Sequence, residues 1–137
     1  MLPEWNPSYS IGNDLLDRQH ARLLDLCRHA EQYMTEQGGE AEEQLHELLH
    51  QLATYADVHF ATEEEVLRKC GYPNLDEQIE GHMAYREELT RMLFEAMDGR
   101  LTNRELFDYA TGWWLDHILV SDMECAPYLR GEVPESA

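Results

Sequence analysis

Three breaks cut this 137-residue chain into four segments: Gly38-Gly39, the string Gly71-Tyr72-Pro73-Asn74, and Gly99. Within each segment apolar residues recur every third or fourth position. They are Leu16, Leu23, Cys27 and Met34 in the first, and Leu45, Leu48, Leu52, Tyr55, Val66 and Cys70 in the second. Leu75, Ile79, Tyr85, Leu89 and Leu93 mark the third, and Leu106, Tyr109, Trp113 and Ile118 the fourth. This is the period of an amphipathic helix, and no segment alternates as a half-buried strand does. Asn74 with Glu77, and Thr102 with Glu105, have the spacing of N-caps and their return partners. Four such helices with short connections specify an all-α fold, an antiparallel up-down-up-down four-helix bundle. Residues 1–12 are expected to form an irregular N-terminal arm anchored by Trp5 and Tyr9. Residues 130–137 read as a polar tail or the start of a linker. The chain, 1–137, reads as one domain, long enough for a single core and too short for two.

Charge narrows the partners. With 28 acidic and 10 basic residues the formal net charge is −18, and Lys69 is the only lysine. Such a surface repels nucleic acid and anionic lipid, so neither is an expected partner. The three cysteines, Cys27, Cys70 and Cys125, are odd in number and show no CxxC spacing. That argues against a disulfide framework or a thiolate zinc site and fits a reducing cytoplasm. The N-terminus lacks the basic and apolar regions of a signal peptide. No stretch approaches the length of a membrane span.

Seven histidines remain to be placed. Residues 46–50, HELLH, match the HExxH pattern of zinc proteases. A helix turns about 100° per residue, so positions four apart share a face and positions nine apart oppose each other. His59 and Glu63 share the side of Leu52, Tyr55 and Val66, whereas His50 lies nine residues before His59. The HELLH string therefore occupies the solvent face, and a bundle this small leaves no substrate cleft. The protease reading fails.

The inward positions are more informative. His20 shares its stripe with Leu16, Leu23 and Cys27, while His29 faces away. His82 belongs with Leu75, Ile79, Tyr85 and Leu89, and His117 with Trp113, Trp114 and Ile118. A lone core histidine is more often simply hydrogen-bonded than a ligand. Four of them, one per helix, together with Glu63, are costly to bury unless paired or metallated. Convergent histidines and carboxylates inside a four-helix bundle are the usual construction of a two-metal carboxylate site. Asp122 is left open by this reasoning. It lies five residues past His117, about 140° round an ideal helix, and only a local π-type widening would swing it to the same face.

These residues carry a resemblance. The chain resembles the hemerythrins, specifically the single-domain bacteriohemerythrins, over roughly residues 5–129. The matching pieces are W-N-P-S-Y-S-I-G at 5–12, D-R-Q-H at 17–20, H-F-A-T-E-E at 59–64, G-Y-P at 71–73 and H-I-L-V-S-D at 117–122. The resemblance implies two iron ions with a bridging oxo or hydroxo group, binding dioxygen end-on at one iron and reducing it reversibly to hydroperoxide. It implies that His20 and His59 ligate the iron that receives dioxygen, that His82 and His117 ligate the other, and that Glu63 and Asp122 bridge the pair.

One position of the family pattern is unfilled. The third helix normally carries two histidines four apart, and here the first is Gln78. Two six-coordinate irons offer about twelve positions. Four histidines, two bridging carboxylates and a bridging oxygen counted twice leave two vacant where the family leaves one. The second vacancy falls on the iron of His82 and His117. A neutral amide is a poor iron ligand beside imidazole, so an open or water-filled position is expected, with Gln78 as a weak ligand or a holder of water. Trp114 stands where relatives commonly have a smaller aliphatic residue. With Trp113 and Ile118 it is expected to line and narrow the dioxygen pocket.

The leading expectation is a dioxygen-binding diiron domain that senses oxygen or redox state, not itself an enzyme. In the family such domains also occur fused to signalling modules, diguanylate cyclases among them, so a fused or partner signalling domain is expected. Dioxygen and small anions such as azide are the expected ligands. An extra open position argues against optimised carriage, because it invites autoxidation. The alternatives are an oxygen carrier or storage protein and a peroxidase- or ferroxidase-like diiron enzyme.

Overall fold

A computed structural model of the chain describes residues 2–35 and 38–132. Among these residues the only regular elements are helices: α1 (Asp14–Thr35), α2 (Gly39–Lys69), α3 (Leu75–Met97), α4 (Asn103–Asp116) and the short α5 (Ala126–Leu129). The first four form the antiparallel bundle that the periodicity specifies. α1 and α3 each pack on both α2 and α4. No helix among the described residues is long and apolar enough to cross a membrane. The last residues of the polar tail, 133–137, lie outside the described residues.

Helix α2 shows why the bundle closes. Leu45, Leu49, Leu52, Ala56 and Phe60 recur at steps of three and four, and all are buried. They meet Leu23, Cys27 and Ala30 of α1, Tyr85 and Leu89 of α3, and Leu106, Ala110 and Trp114 of α4. Each large side chain so buried contributes about 1.5–3 kcal/mol. The Trp114 indole N–H donates to the Tyr85 hydroxyl at 2.9 Å, so this aromatic plug leaves neither polar group stranded. His59, Glu63, His82 and His117 lie beyond the plug, toward the end where α1 and α3 begin and α2 and α4 finish.

That end is tied down by the arm. Trp5 and Tyr9 are half-buried against the core, as expected, but residues Pro7–Tyr9 form one 3₁₀ turn within the irregular arm. Ser10 Oγ and the Ile11 N–H both donate to the Asp17 carboxylate, at 2.6 and 3.0 Å. Asn13 caps α1 by accepting from the Leu16 N–H at 2.9 Å. Gly12 has φ 88°, and the Cγ of Arg130 passes 2.5 Å from where a Cβ would stand. Only glycine suits both conditions.

Two capping expectations part company. Thr102 accepts from the Glu105 N–H at 3.1 Å, as its spacing suggests. Asn74 occupies the N-cap of α3 but makes no side-chain cap hydrogen bond, with φ −102° and ψ 28° instead of the extended backbone that such a cap uses. The HELLH histidines, His46 and His50, are exposed. His46 Nε2 sits 2.9 Å from Asn103 Oδ1, joining the start of α2 to the start of α4. The double variant His46→Gln, His50→Gln is expected to keep the metal content of the parent. Elemental analysis showing loss of about one metal per chain would place a metal on this face after all.

Candidate metal centre

The site is built from one buried carboxylate on α2. Glu63 is 1% exposed, and its two oxygens face different histidine pairs. Oε2 lies 3.0 Å from His59 Nε2 and 3.6 Å from His20 Nε2. Oε1 lies 3.2 Å from His82 Nε2 and 3.3 Å from His117 Nε2. Asp122 spans the pairs, with Oδ2 2.8 Å from His20 Nε2 and 3.1 Å from His117 Nε2. The donor atoms of His20, His59, Glu63, His117 and Asp122 all lie within 4.8 Å of one another. His82 stands outside this tighter group and joins it through Glu63 Oε1.

Asp122 reaches the cluster through a break in helical geometry. After α4 the chain makes a π-turn over His117–Ser121, closed by the Asp122 N–H donating to the His117 carbonyl. The i→i+5 bond fits one extra residue into the turn and swings Asp122 back toward the face of His117. Its side chain is fully buried.

The donor set fits a metal. Apart from one another and the other members of the cluster, seven buried side-chain atoms here have no hydrogen-bond partner: both nitrogens of His20, Nε2 of His59 and His117, Oε2 of Glu63 and both oxygens of Asp122. Each such atom costs about 1–3 kcal/mol if left unsatisfied. Neighbouring donors about 2.1 Å from a shared metal at right angles stand roughly 3 Å apart, which matches the spacings above. The opposite ring nitrogens of two histidines are held. His59 Nδ1 donates to Gln19 Oε1 at 2.8 Å, and His82 Nδ1 to Glu64 Oε2 at 2.7 Å. Protons fixed on Nδ1 turn the Nε2 lone pairs inward, as in metal-binding histidines generally.

The chain matches the family described as "Hemerythrin HHE cation binding domain" over residues 11–129. It belongs to the hemerythrin family. It is 24% identical to a bacteriohemerythrin of Stenotrophomonas maltophilia over 133 residues, covering 97% of this chain and 85% of that protein. A bacteriohemerythrin of Clostridium acetobutylicum is 23% identical over 123 residues, 88% of this chain and 95% of the relative. One of Pseudomonas aeruginosa is 22% identical over 131 residues, 96% and 84% of the two chains. No solved structure matches the chain significantly.

Within this hemerythrin chain the remaining site positions divide in two. Gln78 lies one turn before His82, half-buried, with its amide nitrogen 3.5 Å from Cys125 Sγ. It lines a cavity of about 220 Å³ that reaches His82 and His117. Trp113 lines the same cavity and stacks on His117 at 4.7 Å. Trp114 and Ile118 are fully buried instead. Trp114 stands 5.7 Å from His59 and stacks on Phe60 at 5.3 Å. Trp114 also stands 5.4 Å from His117, so the two tryptophans meet at that ring, Trp113 on the cavity side. Gln19, Glu64 and Cys125 were not candidates on spacing, although Gln19 and Glu64 sit inside the D-R-Q-H and H-F-A-T-E-E strings.

Electrostatics prepares the metal-free cluster for a cation. Burial disfavours the charged His117 ring, but Asp122 and Glu63 outweigh burial and hold its pKa up at about 10. His20 is raised in the same way against its own burial, whereas burial lowers His59. Burial raises Glu63, yet His117 and His59 keep it well below the usual carboxylate range. Between pH 6.5 and about 10 His117 thus retains a proton that it would lose if free, and a metal must displace it. Affinity for a divalent metal is expected to rise with pH across that window. At pH 7.5 uptake is expected to release at least about one proton per chain, read with an indicator dye in weak buffer. Uptake without proton release would contradict this charge assignment.

Proposed function

We propose that this hemerythrin-family chain holds two iron ions and binds dioxygen, and that it reports oxygen or redox state rather than carrying oxygen in bulk. The observation that carries the reading is the division of Glu63, one oxygen toward His20 and His59 and the other toward His82 and His117. A carboxylate so placed suits a bridge between two metals, and Asp122, close to one histidine of each pair, suits a second. The irons, when bound, supply the electrons that hold and release dioxygen. The protein buries His20 and His59 completely, with Trp114 packed 5.7 Å from His59. On the other side Gln78 replaces an imidazole and the cavity reaches His82 and His117. This asymmetry favours a responsive site over a carrier, whose oxygen must be protected from side reactions.

The proposal extends to a binding role without turnover, to signalling through a fused or partner domain, and to a cytoplasmic setting. Three unpaired thiols are compatible with that setting. The test is anaerobic loading with iron, metal analysis, and dioxygen titration followed by visible absorption. Two irons per chain and a spectral change that reverses on deoxygenation are expected. Failure to retain iron would refute the reading, and sustained turnover with peroxide would move it to the diiron enzymes.

A further inference from the structure

The cavity beside Gln78 has a mouth of one charge. Glu77 from the first turn of α3, Asp116 from the end of α4 and Glu124 from the 3₁₀ turn after the π-turn all line it, and all three are exposed. The ion pairs of Arg28, Arg68, Arg86, Arg91 and Arg104 lie elsewhere, and among the described residues none involves these carboxylates. The cavity also contains His82 and His117, whose side chains are 1% and 4% exposed. Apart from the carboxylates of the centre itself, His117 Nε2 has no hydrogen-bond partner. His20, His59, Glu63 and Asp122 do not line the cavity. An anion approaching by this cavity meets three like charges before it meets an imidazole. A hydrated divalent cation meets oxygen ligands that it binds readily, then the His82 and His117 imidazoles at the edge of the centre.

We infer that this cavity is the route by which divalent metal ions reach the centre, with Glu77, Asp116 and Glu124 as a capture ring that is not part of the final ligand set. The inference rests on the two-metal reading above and adds to it a site for a cation in transit. Charges at a cleft mouth raise the arrival rate of an opposite charge by roughly 10- to 1,000-fold, an effect that salt removes. The screening length is about 30 Å at 0.01 M ionic strength and about 8 Å at 0.15 M.

The experiment uses the 137-residue chain stripped with a chelator and mixed with cobalt(II), whose visible bands report coordination. The combined variant Glu77→Gln, Asp116→Asn, Glu124→Gln is compared with the parent. The control is Glu40→Gln, Glu43→Gln, Asp98→Asn, with equal charge removed at the opposite end of the bundle, roughly 28 Å away along α2. At low ionic strength the mouth variant is expected to load on the order of tenfold more slowly than both other proteins. That difference should shrink in 0.5 M salt, and all three proteins should reach the same final metal content. Equal rates in parent and mouth variant would overturn the route, as would equal slowing in the control or a lower final content in the mouth variant. If the combined variant fails to fold, each single mouth variant should still load more slowly than the parent, and unchanged rates in all three would overturn the route. No metal uptake by any of the proteins would overturn the two-metal reading along with this one.

Discussion

Replacing Glu63 by glutamine is expected to strip the metal pair while leaving the four helices in place. The amide keeps the shape of the carboxylate but presents one oxygen and one N–H₂, so one histidine pair faces a donor where it now faces an acceptor. Loss of even an outer partner of a metal ligand typically costs 10- to 100-fold in affinity. Loss of a shared bridging charge should cost more than about 100-fold for the pair as a unit. The fold should survive because Asp122, 3.1 Å away, still partners the His117 ring, and an amide at position 63 carries no charge to bury. Metal analysis after gel filtration, beside far-ultraviolet circular dichroism, reads both halves of the prediction. A Glu63→Gln protein that keeps two tightly bound metals would remove Glu63 from the bridge.

The second large effect is expected from Gln78→His. This change places two histidines four apart on α3, with the new ring in a cavity of about 220 Å³ that already holds His82 and His117 at its inner end. On the two-iron reading an imidazole here would fill a coordination position that a neutral amide serves poorly, and metal retention should tighten by at least about tenfold. The dioxygen-bound protein should last longer before oxidising. Nitric oxide, a neutral probe that the mouth carboxylates do not repel, should bind more weakly on the His82–His117 side. A parent protein already as stable toward oxidation as the variant would mean that the position is closed in the native chain. The sensor reading would then give way to the carrier reading.

The four inward histidines and Glu63 are legible from the sequence because each lies on the apolar stripe of its own helix, so ideal helical geometry suffices. Asp122 is not legible that way. Its position depends on the π-turn at His117–Ser121, which periodicity does not encode, and only the family resemblance pointed to it. Gln19 and Glu64 were missed for a different reason. Their partners, His59 and His82, stand on neighbouring helices, so their roles arise only once the bundle is assembled. The same holds for the cavity and its acidic mouth, which collect residues from α3, the end of α4 and the turn beyond it. Asn74 illustrates the opposite error, a capping sequence whose backbone angles do not let the cap form.

The arrangement around Glu63 can be tested by locating the metals themselves. Crystals of the iron-loaded protein, measured on both sides of the iron absorption edge, give an anomalous difference map that depends on no assumption about ligands. The account predicts two iron peaks, one between Glu63 Oε2 and the Nε2 atoms of His20 and His59, the other between Glu63 Oε1 and those of His82 and His117. Asp122 should touch both. A single peak, or peaks that leave Glu63 bound to only one metal, would contradict it.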